Sequence, residues 1–84
     1  MVVTLEVFTS KTCPHCPAAK EAAAKVKEKI GDDLDYQDLD VDENMEKAIE
    51  YGIMAVPTLV IDGEVAFTGA PRTKELYQAI MNKL

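Results

Sequence analysis

An 84-residue chain with nine Lys and Arg against fifteen Asp and Glu carries a net charge of −6. That sign excludes a generic affinity for nucleic acid or anionic lipid, whose phosphates would be repelled. Hydrophobic residues at 48% beside charged residues at 29% exclude an intrinsically disordered chain, and the apolar runs fall far short of the roughly 20 residues that a bilayer-crossing helix needs. One domain, residues 1–84, is expected, because a single core takes roughly 50 to 200 residues. Area scaling leaves about 5,000 Å² exposed and buries roughly 60% of the unfolded surface, a modest core. Met1 to Val7 lacks the basic segment, apolar core and small-residue cleavage site of a secretory leader, so a cytoplasmic protein is expected.

Thr4 to Thr9 mixes β-branched and aromatic residues with little charge and predicts a strand, followed by the polar turn Ser10-Lys11-Thr12. From the cysteines to Ile30, the apolar positions Ala19, Ala22, Ala23, Val26 and Ile30 recur at three- and four-residue steps, which predicts a helix with Gly31 as its left-handed cap. Pro14 and Pro17 fit that helix if it opens at about Cys13, where the first turn needs no amide hydrogen. Leu34 to Val41 predicts a second strand, weakened by its aspartates, and Glu43 to Tyr51 a short helix ending at Gly52. Thr58–Ile61 and Val65–Thr68 flank Asp62-Gly63, the signal of a type I′ hairpin. Thr73 is placed to cap a last helix to Leu84, whose apolar stripe is Leu76, Tyr77, Ile80 and Leu84. The order βαβαββα predicts an α/β fold, a central mixed sheet of four strands flanked by three helices.

Cys13 and Cys16 are the two cysteines. In a reducing compartment a close pair is redox-active or metal-binding sooner than a structural staple. Disulfide chemistry needs a thiolate, and a free thiol with a pKa of about 8.5 supplies little at neutral pH. A helix N-terminus and a cationic His15 both favour a Cys13 thiolate. Cys16, one helical turn further in, is near enough to close a disulfide yet less available to a partner. The mechanism this predicts is exchange: Cys13 attacks a substrate disulfide and Cys16 resolves the mixed disulfide. A copper-carrying chaperone is the alternative from another class, since such proteins also place CxxC between a first strand and a first helix. Their βαββαβ order ends in a strand, whereas this chain ends in a helical pattern.

Thr9-Ser10-Lys11-Thr12-Cys13-Pro14-His15-Cys16, with Tyr51-Gly52-Ile53-Met54-Ala55-Val56-Pro57-Thr58 and Gly69-Ala70, resembles the thioredoxin superfamily, and within it the small archaeal glutaredoxin-like thioredoxins, over essentially the whole chain. The resemblance implies a cis Val56-Pro57 bond, with Ala55 to Pro57 beside Cys13 offering backbone to an extended substrate. It assigns the nucleophile to Cys13, the resolving thiol to Cys16, the substrate-loop proline to Pro57 and the interaction-surface glycine to Gly69. Met54 is expected as an apolar docking rim, with Thr12 preceding the nucleophile in the place where larger thioredoxins carry Trp. Pro14-His15 is the intervening pair of periplasmic disulfide oxidases, so a disulfide oxidase or isomerase stands as an alternative to a reductase. Val7 replaces the acid that larger thioredoxins place under the resolving cysteine. Asp38 stands where those proteins have a partner lysine and becomes the candidate proton acceptor for Cys16. A glutathione-linked glutaredoxin is a further alternative, disfavoured because Gly69 is followed by Ala70-Pro71-Arg72 and not by a second glycine and an acid.

The run Asp32, Asp33, Asp35, Asp38, Asp40, Asp42, Glu43 fails as a calcium loop, since Glu43 occupies the required glycine and Ile49 the required bidentate glutamate. A solvated strand edge explains it better. The expectation is therefore a cytoplasmic, monomeric dithiol–disulfide oxidoreductase with no bound cofactor. It would act on protein disulfides and be recharged by a separate upstream reductase.

Overall fold

The first strand alternates Val3, Leu5 and Val7 with Glu6 and Phe8, and all five are buried. A strand buried on both faces belongs in the middle of a covered sheet. In the computed structural model, which describes residues 2–84, that strand, β1 (Val3–Thr9), pairs in parallel with β2 (Leu34–Asp40) and antiparallel with β3 (Thr58–Ile61). β4 (Glu64–Thr68) adds antiparallel to β3, giving the order β2-β1-β3-β4 and the expected mixed four-stranded sheet. The aspartate-bearing β2 is an edge strand, where charge discourages further pairing.

Helices α1 (Cys16–Ile30) and α3 (Thr73–Met81) cover one face of the sheet. Ala19, Ala22, Ala23 and Val26 of α1 and Leu76 and Ile80 of α3 pack there on Val3, Leu5, Val7, Leu59 and Ile61. The three alanines keep α1 thin on its buried side. Helix α2 (Met45–Glu50) covers the other face through Ala48, against Phe8 and Val60. Each fully buried Leu, Val or Phe of these layers contributes about 1.5–3 kcal/mol. The exposed surface, 5171 Å², matches the scaling expectation.

Helix α1 begins at Cys16, not at Cys13. The cause is Pro17, which has no amide to donate to the Cys13 carbonyl, so no helical turn closes over Cys13. The first such bond runs from Ala19 N to His15 O at 3.4 Å, making His15 the N-cap and putting Pro17, not Pro14, in the first turn. Gly31 has φ +74° but ψ −133°, so the helix exits into the 3₁₀ turn Gly31–Asp33 and not through a left-handed cap; the Lys27 ammonium caps the exit by bonding the carbonyls of Gly31 and Leu34. Helix α2 is shorter than its pattern because Asp40 holds the amides of Asp42, Glu43 and Asn44 in a turn of their own. Arg72, not Thr73, is the N-cap of α3, and the helix stops at Met81, where Lys83 and Leu84 close tighter i→i+3 bonds. Asp62 and Gly63 both have positive φ, +49° and +83°, as a type I′ turn requires.

Glu6 is the charged residue among the buried positions of β1, 3% exposed. Its Oε1 accepts a hydrogen bond from Tyr51 Oη at 3.0 Å, and its Oε2 meets Lys47 Nζ at 2.5 Å. The Tyr51 ring stands edge-on to Phe8, centroids 5.9 Å apart, so the end of α2 is pinned to the sheet by one ring and two polar contacts. Both partners titrate higher than usual: the side-chain bond to Glu6 raises Lys47, and the same bond, then burial, raises Tyr51. A group whose pKa is raised on folding stabilises the fold below its unfolded value and loses that contribution as pH climbs through the folded one. The stability from this pair should therefore be complete at neutral pH and fall once pH passes the ordinary tyrosine value of 10.0. Urea midpoints across that range should drop for the wild type and flatten in a Tyr51→Phe, Lys47→Met double variant. Tyr51→Phe alone, by leaving Glu6 short of a donor, should cost about 1–3 kcal/mol at pH 7.

Candidate functional site

Beyond Thr9 the chain leaves the sheet in a tight turn, Cys13 N donating to Ser10 O at 3.4 Å. Thr12, Pro14 and His15 are exposed on that turn, Cys13 is half-buried, and Cys16, the first residue of α1, is 3% exposed. The two cysteines are joined as a disulfide with Cα atoms 5.4 Å apart, so the structure is that of the oxidised form. The first-turn amides of α1 have no helical acceptor, and no acid stands in that turn to neutralise the positive helix end. Cys13 thus lies just ahead of the helix and not within it, on the side its dipole favours for a thiolate.

The strand register decides what else lies there. Phe8 pairs with Thr58 and Thr58 with Thr68, so the end of β1, the start of β3 and the end of β4 share one edge of the sheet. Pro57 and Gly69 are therefore at the same end as the cysteine turn, linked by Gly69 N donating to Pro57 O at 2.8 Å. The Val56-Pro57 bond is cis, and Thr58 Oγ1 ties the loop by donating to Ala55 O at 2.6 Å. Pro57 is buried, Val56 half-buried, Ala55 exposed, and Met54 stands 98% exposed as a rim. Gly69 has φ +101°, a conformation side chains rarely adopt, and no atom of the chain lies within 4 Å of where its Cβ would be. The backbone angle, not crowding by the chain itself, calls for glycine at that position.

Asp38 pairs with Val7 across the parallel ladder, on the face that α1 covers. Its carboxylate accepts from Thr9 Oγ1 at 3.3 Å and meets Lys20 Nζ at 3.2 Å, with 39% of its side chain exposed. Lys20 lies one helical turn beyond Cys16. An acid and a base thus stand together on the Cys16 side of the sheet, the acid from β2 and the base from α1. Burial raises the pKa of nearby Tyr36, and the Asp38 charge adds to the rise.

Sequence reasoning named the cysteine turn, Pro57 and Gly69, which the fold brings to one end, and Asp38, which lies along the neighbouring strand. It missed Lys20 as the partner of Asp38 and the Glu6, Tyr51 and Lys47 cluster. The i+4 spacing of Cys16 and Lys20 was the readable signal for the first. For the second it was an acid inside a strand with no solvated face. Among the described residues no group of three or more His, Cys, Asp or Glu is placed to hold a metal ion, and no helix is long and apolar enough to cross a membrane.

A thioredoxin domain family model matches residues 3–81. The chain is 50% identical over 84 residues to a probable thioredoxin of Methanothermobacter thermautotrophicus, covering 100% of this chain and 99% of that protein. It is 50% identical over 82 residues to a thioredoxin of Methanocaldococcus jannaschii, covering 98% and 96%. Among solved structures, a mutant thioredoxin from Halobacterium salinarum superposes with a TM-score of 0.82 at 31% identity, covering 95% of this chain and 73% of that one. With a cysteine pair at a helix start, a cis-proline loop at the same end of the sheet and relatives alike along their whole length, the chain belongs to the thioredoxin family and is a thiol–disulfide oxidoreductase.

Proposed function

We propose that the protein works as a reductase of disulfides in other proteins, with Cys13 as nucleophile and Cys16 as resolving thiol. The observation that carries this is their unequal exposure: Cys13 is half-buried at an open turn, whereas Cys16 is closed off at the start of α1. The Cys13 thiolate attacks one sulfur of the substrate disulfide, forming a mixed disulfide and releasing one substrate thiolate, which takes a proton from solvent. Cys16, giving its proton to Asp38, attacks Cys13 Sγ and expels the second substrate thiolate. Two electrons pass to the substrate, and the protein is left with the Cys13–Cys16 disulfide. A separate upstream reductase in the cytoplasm returns it to the dithiol. Met54, Ala55, Val56 and Pro57 form the wall against which an extended substrate segment lies, with Gly69 and Thr12 bordering it.

His15 is the N-cap residue of α1, two positions from Cys13, and in its cationic form favours the thiolate, while Pro14 keeps the turn stiff. The same pair supports the second reading, a disulfide donor or isomerase, through a more stable reduced form. The midpoint potential of the Cys13/Cys16 couple, measured by thiol trapping in graded dithiol buffers, separates the two. A value near about −270 mV is expected for a reductase, and one near about −120 to −180 mV would reverse the direction.

Cys13→Ser should abolish turnover, and Cys16→Ser should trap a mixed disulfide visible by mass spectrometry; accumulation of the adduct on Cys16 instead would overturn the assignment. Asp38→Asn should slow release of the trapped substrate by about 10- to 100-fold, the range of a lost general base, while leaving the attack step unchanged. Stopped-flow traces of the two steps check it.

A further inference from the structure

The outer side of the cis-proline loop continues into an apolar groove of about 290 Å³ that the exchange chemistry does not use. Val41, Met45, Ile49, Ile53, Met54 and Val56 line it. Three of the large apolar side chains standing exposed among the described residues belong to it: Met45 at 57%, Ile49 at 71% and Met54 at 98%. Asp42 and Met45 also line an adjoining cleft, and that cleft is bordered by Glu43, Glu46 and Glu50. The base of α2, Lys47, has its ammonium drawn in against buried Glu6, so it does not offset the acids around it.

A small chain gains nothing for its own stability by leaving Ile49 and two methionines in water, and exposed apolar patches of this kind mark contact sites. Unbranched methionines adapt to differently shaped partners. The surrounding charge fixes the chemistry of what fits. Four carboxylates beside an apolar trough favour an apolar side chain with a cation next to it, and repel an acidic one. Continuity with Ala55 and Val56 fixes what kind of molecule this is, because the same loop walls the exchange site.

We propose that this groove is a docking subsite for substrate proteins, taking a large apolar side chain flanked by Lys or Arg in the extended segment that carries the target cysteine. The subsite rests on the disulfide-reductase reading and adds a selection rule to it. An extended segment pairing with the loop would lay its alternate side chains toward the α2 wall, where Ile49 and Met45 meet the apolar one and Glu46 and Glu50 the basic one.

The test uses the full chain, recharged by dithiothreitol, on three disulfide probes. One is a disulfide-closed peptide with Leu-Lys-Arg beside its cysteine, the second a matched peptide with Ser-Glu-Glu there, and the third a small aromatic disulfide with no peptide segment. The wild type should reduce the first peptide with a kcat/KM about tenfold above the second, a preference that shrinks with added salt. Ile49→Ser and the pair Glu46→Gln, Glu50→Gln should each erase most of that preference and leave the small disulfide unchanged. These side chains are exposed, and Ile49→Lys, which repels the basic peptide outright, guards against a mere loss of folding. Equal kcat/KM for the two peptides in the wild type, or a preference that survives the substitutions, overturns the proposal. A dimer in sedimentation that Ile49→Ser dissolves also overturns it, since a second copy would then fill the groove. If the wild type reduces none of the three probes, the reductase reading fails and the subsite falls with it. If the small disulfide is reduced without peptide preference, the subsite alone fails.

Discussion

Burial of β1 on both faces is the constraint from which the rest of the molecule follows. A strand with no solvated side needs helices above and below and a partner at each edge. The chain supplies β2 and β3 as edges, α1 and α3 over one face, and α2 over the other. The end of that fully enclosed strand is the least mobile place from which to launch a reactive turn. The cysteines inherit their position from it, and the register of β3 and β4 against it delivers Pro57 and Gly69 to the same place.

Enclosure also explains the polar arrangements on either side of β1. On the α2 face, Glu6 has no water and is met by a phenol and an ammonium. On the α1 face, Val7 stays apolar and the charged pair is displaced sideways to Asp38 and Lys20, which remain partly solvated. A buried carboxylate at Val7 would sit below Cys16 and demand its own partner. Placing the acid one strand over keeps it near the helix start while leaving it in contact with water.

Much of this was legible in the sequence. The hairpin at Asp62-Gly63, the helix stripes and the Cys13-Cys16 pair are local signals, each set by a few neighbouring residues. The cis bond at Val56-Pro57 and the placing of Gly69 came from likeness to a family and from no periodicity. The start of α1 was misjudged because Pro14 and Pro17 both suit a first turn, and only the missing amide opposite the Cys13 carbonyl separates them. Lys20 and the Glu6 cluster were unread because their partners lie on other elements: 18 residues separate Lys20 from Asp38, and 45 separate Glu6 from Tyr51. Spacing along the chain says little about contacts of that span.

The pairing of β1 with β3 has a bearing on the order of events at the ribosome. Leu5 meets Ile61 and Phe8 meets Thr58, so the sheet cannot close around its central strand until most of the chain has been made. Both cysteines emerge long before that. During this interval they belong to a nascent segment that can pair only with itself and with α1, without the loop of Ala55 to Pro57 or the Gly69 contact that walls the finished site. Thiol reactivity therefore precedes selectivity in the life of the molecule, and a reducing milieu during synthesis is what keeps the early pair from capturing the wrong sulfur.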